Sequence, residues 1–344
     1  MTKTEQTLPN IIDQAIAAEL TTLRNYLFAN PSEPLICTGS GGAESVADLA
    51  ALLYGARGGV SLSVTPYTLN SYSDDALRSS KLLLLSKGGH NNDIIFATRR
   101  GLEVNPSKTA ALNFSAGDRN DARKLFLKAG SESCFVVPMK DVHDGFVSTG
   151  TTLAYFALLT RLFQPSIDLG KYRTVSSEAF RLCRADGAAL AVEDFRPVKH
   201  YMILHGSWGR PVACNLKSKM IESGLAGVMS YDYRNYCHGT FIFNSQRLDD
   251  SAIIMLVTPR EKDIAARVRG FLPASAKLIV VETAEDAPEA ALDLVIRASA
   301  LFDTLCEACG VNSESPANPG KVDKRIPMWI PFIAELKKQG PLKI

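Results

Sequence analysis

The chain has 344 residues, 38 Lys and Arg against 36 Asp and Glu, and a formal net charge of +2. At ~150 residues per domain this length suggests two domains, each large enough to bury a core. Apolar residues at 46% and charged residues at 22% describe an ordinary globular protein, and near-neutrality argues against nucleic acid or an acidic membrane as the main partner. Seven cysteines are too few for a disulfide scaffold, and their odd number fits a reducing compartment.

The opening MTKTEQTLPNIIDQAIAAEL mixes acids and amides into its apolar run, so it lacks the core of a signal peptide. Apolar stretches such as 82–85 and 253–257 fall far short of the ~20 residues that span a bilayer. The expectation is a cytoplasmic protein with no membrane partner. The first 30 residues read as one amphipathic helix, with Leu8, Ile11, Ile12, Ala15, Ile16, Leu20 and Leu23 on one stripe. Short apolar runs follow at 34–38, 59–64, 81–86, 109–114 and 134–138, separated by helical stretches at 43–54, 91–103 and 118–129. Runs that are apolar at every position mark strands covered on both faces, and strand–helix repetition means a parallel sheet with right-handed crossovers.

The second half repeats the scheme, with runs at 201–205, 225–229, 252–257 and 277–281 and a long helix at 286–309. Gly39 and Gly206 lie 167 apart, Leu82 and Ile253 171 apart, and Ala110 and Leu278 168 apart. A nearly constant offset is what internal duplication leaves behind; the alternative is two unrelated α/β domains of similar size. The expected organisation is a helix at 1–30, one α/β domain at 31–165, a connection at 166–195, a second domain at 196–310 and a tail at 311–344. The tail is rich in Pro and Gly and carries six Lys and Arg against two acids from Lys321 onward.

In open parallel sheets, ligands bind where loops leave the carboxyl ends of the strands. Three loops there carry candidate groups. Thr38-Gly39-Ser40-Gly41-Gly42 lets backbone N–H groups approach an anion closely, although Glu44 occupies the third glycine position of a dinucleotide fingerprint. Its alternative reading is a turn that merely packs strand on helix. Ser86, Lys87, Gly88 and Asn91 offer a hydroxyl, a cation, a close-approach glycine and a helix cap, a set that suits an anion. Val147, Ser148 and Thr149 open a further helix, where Ser and Thr are equally ordinary caps.

In the second half, Lys219 and Glu222 stand three apart on a helix and so share a face, and His238 follows sixteen residues later. A carboxylate and a histidine can move protons between carbon and oxygen; an ion pair and a solvent-exposed His are the plainer alternative. Cys306 and Cys309 form a CxxC without a second Cys or His pair, which reads as structural thiols rather than a zinc site.

The two-copy organisation and the three loops resemble sugar isomerase (SIS) domains, and the chain from about 30 to 325 resembles a double-SIS protein: the isomerase half of glucosamine-6-phosphate synthase, the tagatose-6-phosphate ketose/aldose isomerases and the fructosamine deglycases. The resemblance implies two flavodoxin-like three-layer αβα domains with parallel sheets. It also implies a homodimer or larger symmetric oligomer, a phosphorylated or related anionic sugar as ligand, and chemistry without cofactor or metal. In that family a helix reading ALKLKE precedes HGP by the spacing that separates Glu222 from His238-Gly239. Carried over, Glu222 shuttles a proton between C1 and C2, His238 assists ring opening from a neighbouring subunit, and Lys219 supports the enediolate. The run from Pro316 through Lys321 resembles the tail that borders the tagatose-type site, making Lys321 a ligand candidate. The family's SxSGxT phosphate loop is altered: Gly88 and Asn91 replace two hydroxyl donors, and Lys87 adds a charge. Asn215 replaces a glutamate, Thr240 the proline of HGP and Gly150 a lysine. The expected activity is aldose–ketose isomerisation, or deamination or deglycation of an amino sugar; the rival is a sensor that kept the pocket without turnover.

Overall fold

In the computed structural model, residues 2–140, 142, 144–176 and 178–316 are described. The amphipathic N-terminal stretch forms two helices rather than one, α1 (Lys3–Ala17) and α2 (Thr21–Phe28). The break is capped by a side chain: the Glu19 carboxylate accepts the Thr21 N–H at 2.7 Å, supplying an acceptor that the helix start lacks. Leu8, Ile11, Ile12, Ala15, Leu20 and Leu23 are buried as the stripe requires, whereas Ile16 is exposed.

The alternation then runs β1 (Leu35–Gly39), α3 (Ala43–Ala56), β2 (Ser61–Val64), α4 (Pro66–Leu69), α5 (Asp74–Ser79), β3 (Lys81–Leu85), α6 (Asn92–Val104), β4 (Thr109–Asn113), α7 (Asp121–Lys128) and β5 (Cys134–Val136). These strands form a wholly parallel sheet in the order β2-β1-β3-β4-β5. β1, β3 and β4 are buried at every residue, which explains their unbroken apolar runs. The edge strands β2 and β5 are only partly covered. Leu69, Leu77, Ala97 and Phe126 from α4 to α7 pack with Ile36, Leu82, Leu84 and Ala111 on one face. The strand order reverses between β1 and β3, so α3 crosses on the opposite face.

α8 (Gly150–Phe163) leads to β6 (Arg181–Arg184), β7 (His200–His205), α9 (Arg210–Glu222), β8 (Gly227–Asp232), α10 (Tyr233–Asn235), a π-type turn at Tyr236–Thr240, α11 (Phe241–Ser245), β9 (Ser251–Val257), α12 (Lys262–Phe271), β10 (Lys277–Glu282) and α13 (Glu289–Ala308). Their sheet has the order β6-β10-β9-β7-β8. Strands β7 to β10 are mutually parallel and repeat the β1–β4 pattern, the duplication that the offsets suggested. β6 departs from it: this strand, RLCR, is mostly polar and joins β10 antiparallel, so the second sheet is mixed rather than parallel throughout.

Contacts divide the chain into two compact units. One holds Gln14–Val142 and Arg161–Ser166 with the first sheet; the other holds the second sheet, the N-terminal residues up to Asp13 and the first part of α8 up to Thr160.

Candidate functional site

In the first unit, the order reversal opens a crevice outside the carboxyl ends of β1 and β3, whose last residues, Gly39 and Leu85, are register partners. Gly39 has no room for a side chain, since a Cβ would stand 2.3 Å from the Ala43 carbonyl oxygen, and Gly41 turns the chain at φ +60°. That turn brings Ser40 to the neighbouring loop, where its hydroxyl donates to Asp93 Oδ2 at 2.9 Å. Ser86 is buried and its Oγ accepts the Gly89 N–H at 3.2 Å. Asn91 caps α6 by accepting the Asp93 N–H at 2.8 Å. Lys87 is exposed and its ammonium donates to the Val142 carbonyl at 3.2 Å. Gly39, Ser40, Gly41, Ser86, Lys87, Gly88 and Asn91 therefore lie in two neighbouring loops that follow β1 and β3.

Sequence reasoning did not pick out the carboxylates there. Asp93 lies in the first turn of α6 and Glu44 in the first turn of α3, positions where a helix dipole favours negative charge. Each partly satisfies the field that would otherwise attract a ligand's anion. A buried amide pair supports the loop from below. Asn113, with its amide turned to suit its neighbours, donates to the Ser86 carbonyl at 2.9 Å and accepts from Asn120 Nδ2 at 3.1 Å.

In the second unit, Val147 is buried and Ser148 half-buried at the entrance to α8. Asp144 fills that helix start: its carboxylate accepts the Thr149 and Thr151 N–H groups at 3.0 and 3.2 Å and the hydroxyls of Ser148 and Thr151. One turn further on, Asn215 Nδ2 donates to Thr152 Oγ1 at 3.3 Å, tying α9 to α8. Lys219, on the same inward face of α9, is 2% exposed; its ammonium donates to Ser299 Oγ at 3.1 Å and lies over the Phe302 ring. Burial pushes this lysine down to about 8, against the opposing pull of the Asp303 and Asp144 carboxylates.

Glu222 ends α9 in solvent, its carboxylate accepting the Ser218 hydroxyl at 2.6 Å. The helix stops there in a Schellman arrangement, in which the N–H groups of Gly224 (φ +72°) and Leu225 bond back to Ile221 and Met220. His238 is also exposed, with non-helical φ/ψ of −88° and 35° in the π-type turn. The two lie on different faces of the sheet. α9 packs on α13, β7 and β8, whereas Tyr233 and Tyr236, just before His238, pack with Ala265 and Val268 of α12 on the opposite face of β7, β9 and β10. The whole of β8 runs between them. Within one chain the structure thus joins Glu222 to Lys219 by a helix and holds His238 apart from both.

The equivalent crevice of the second sheet is closed. The Glu261 carboxylate is buried there, accepts the Thr258 N–H and hydroxyl, and stands where a Cβ on Gly206 would be. Lys321 and most of the tail lie outside the described residues. The described part, through Glu314, bridges the third loop: its carbonyl accepts the Phe146 N–H at 2.8 Å. Among the described residues no group of three or more His, Cys, Asp and Glu is arranged to hold a metal ion, and no helix is long and apolar enough to cross a membrane.

No family model and no curated protein matches the sequence. Solved structures do resemble it. Tagatose-6-phosphate ketose/aldose isomerase from Escherichia coli is 17% identical with a TM-score of 0.64, the match covering 89% of this chain and 92% of that one. The C-terminal domain of glucosamine-fructose-6-phosphate aminotransferase from Francisella tularensis is 12% identical, with a TM-score of 0.63 over 91% of this chain and 96% of the other. Glucosamine-6-phosphate deaminase from Thermotoga maritima is 14% identical, with a TM-score of 0.62 over 91% and 97%. These neighbours are SIS-type folds, and the fold of this chain is the double-SIS fold.

Proposed function

We propose that the protein binds an anionic sugar and moves a proton between its C1 and C2, as an aldose–ketose isomerase or as a deaminase or deglycase of an amino sugar. The observation that carries this reading is the Glu222 carboxylate. It is open to solvent, oriented by Ser218, and placed at the end of a helix in a fold shared with a sugar-phosphate isomerase and a sugar-phosphate deaminase. Glu222 takes the proton from the carbon beside the carbonyl or imine, the enediolate forms, and the same carboxyl returns the proton to the neighbouring carbon. His238, on the opposite face of its own sheet, serves the site of a second copy, which makes a homodimer the smallest active form. Lys219 is enclosed against Ser299 and Phe302, so its part is to hold α9 on α13 and thereby position Glu222.

The loops of Ser40, Ser86, Lys87 and Asn91, in the unit that lacks the Glu261 plug, suit an anionic group of a ligand on their own account. A second reading, a sensor without turnover, draws on Asp93 and Asp144, since the chain's own carboxylates already sit at two helix starts. Hexose and hexosamine phosphates incubated with the protein in deuterated water and followed by NMR separate the two. An enzyme incorporates deuterium at C1 or C2, and Glu222→Gln slows this by ~10²-fold or more while ligand affinity holds. A sensor binds one of them without exchange. Full turnover in Glu222→Gln removes Glu222 from the mechanism.

A further inference from the structure

A seam of polar side chains runs between α9 and α13 in the second unit, where two packed helices ordinarily bury apolar ones. From α9 and its cap it holds Asn215, Lys219 and Ser223, all buried and spaced by four, which puts them on one face. From α13 it holds Ser299, Phe302, Asp303 and Cys306, at positions i, i+3, i+4 and i+7 of one face. Lys219 bonds Ser299 and lies over Phe302, and one turn further the Cys306 thiol meets the Ser223 hydroxyl. Asp303, half-buried, stands in the turn between these two contacts.

The Asp303 carboxylate serves two neighbours. Its Oδ2 accepts the Thr4 N–H at 2.8 Å, one of the donors that the start of α1 leaves free. It also supplies the largest attraction that opposes burial at the Lys219 ammonium. Among the described residues, the other charged or titratable groups facing that ammonium are Asp144 ahead of α8, Lys3 of α1 and the Cys306 thiol, which burial pushes up to about 12. Lys3 in turn pairs with Glu314 at 2.9 Å, the residue that bridges the third loop. Asp303 thus joins the start of α1, tied through Lys3 and Glu314 to the third loop, to the end of α9 that carries Glu222.

That junction depends on charge. An ammonium donates a stronger hydrogen bond to Ser299 than a neutral amine does, and only the cation is drawn to the face of the Phe302 ring. When Lys219 loses its proton both contacts weaken, and Glu222, three residues on, loses the anchor of its helix end. We propose that Asp303 is a positioning residue for Glu222, acting through Lys219: its carboxylate keeps the ammonium charged inside the seam and so fixes the last turn of α9 against α13. The role for Glu222 rests on the functional reading above, whereas the control of Lys219 by Asp303 does not.

The test uses the full chain with ¹³Cε-labelled lysine and a ¹⁵N-labelled backbone, titrated by NMR between about pH 6 and 10. The Lys219 signal is identified by its loss in Lys219→Met. Asp303→Asn keeps an acceptor for Thr4 and removes only the charge, and circular dichroism confirms its fold. In wild type the Lys219 signal should titrate at about 8, and the amides of Glu222, Gly224 and Leu225 should shift with the same midpoint. In Asp303→Asn both midpoints should fall together by about one pH unit or more, the scale of losing one close carboxylate, and Asp303→Glu should return them to within about half a unit. A Lys219 midpoint that Asp303→Asn leaves in place overturns the proposal, as do amides that ignore the Lys219 titration. An Asp303 with a merely structural role would displace those amides at every pH without moving their midpoint, which overturns it too. Full turnover in Glu222→Gln overturns the functional reading instead, and the role for Glu222 with it, even where the midpoints move as expected.

Discussion

Lys219 shows how one buried charge leaves a signature in stability. Its folded-state value, lowered to about 8 by burial, lies below the ordinary 10.5. Between those values the unfolded chain binds more protons than the folded one, so stability rises with pH across that window. The slope is at most ~1.4 kcal/mol per pH unit. Relative to Lys219→Met, wild type should gain about 1–3 kcal/mol from pH 8 to 10.5 in urea midpoints, with the difference flat below pH 7. Parallel curves throughout would mean that the ammonium is not enclosed. Asp93 makes a different statement, because its carboxylate competes with any ligand anion at the start of α6. Asp93→Ser removes that charge and leaves a hydroxyl in its place, so fructose 6-phosphate should bind about tenfold tighter by calorimetry, the size of one charge effect at a helix start. Unchanged affinity would place the phosphate elsewhere.

At the scale of elements, Gly89 ties the loop between β3 and α6 to α7. It sits at φ +65°, and a Cβ there would meet Asn120 Oδ1 at 2.1 Å, the atom that caps α7 by accepting the Arg123 N–H at 2.9 Å. Gly41 has a similar φ of +60° but open space around it. Gly41→Ala should therefore cost only the ~1–2 kcal/mol of left-handed backbone, whereas Gly89→Ala adds the loss of a cap worth ~1 kcal/mol and should lower the urea midpoint clearly further. Equal effects would show that the cap does not depend on Gly89. The sequence made β1, β3, β4, β7, β9 and β10 legible because burial on both faces writes an unbroken apolar run. It hid β6, a half-exposed antiparallel edge whose RLCR carries no such mark, and the break between α1 and α2, which depends on one Glu19 hydrogen bond. Of the candidate site, the parts legible in the sequence were those where a backbone demanded a residue type, as at Gly39, Gly41 and the Asn91 cap. Asp93, Asp144 and Glu261 escaped notice because a carboxylate at a helix start reads as an ordinary cap until tertiary structure shows what it displaces.

For the whole molecule, the decisive fact is that Glu222 and His238 sit on opposite faces of one sheet with β8 between them. If both serve one active site, that site takes Glu222 from one copy and His238 from another, and a symmetric dimer holds two such sites. The arrangement predicts complementation. Homodimers of Glu222→Gln have no base, and homodimers of His238→Ala lack the partner group, so each alone should be nearly inactive. Mixing the two after dissociation gives about half mixed dimers. Each of these pairs one doubly defective site with one site built from an intact Glu222 and an intact His238. Activity should then recover to about a quarter of wild type, the statistical share of intact sites under closed two-fold symmetry. The mixture must be assayed at concentrations where sedimentation shows dimers. If the two residues instead acted from the same chain, every site in every mixed dimer would carry one defect, and the mixture would stay as inactive as its components. Recovery near a quarter supports the shared site; no recovery, with mixed dimers demonstrated by mass spectrometry, rejects it.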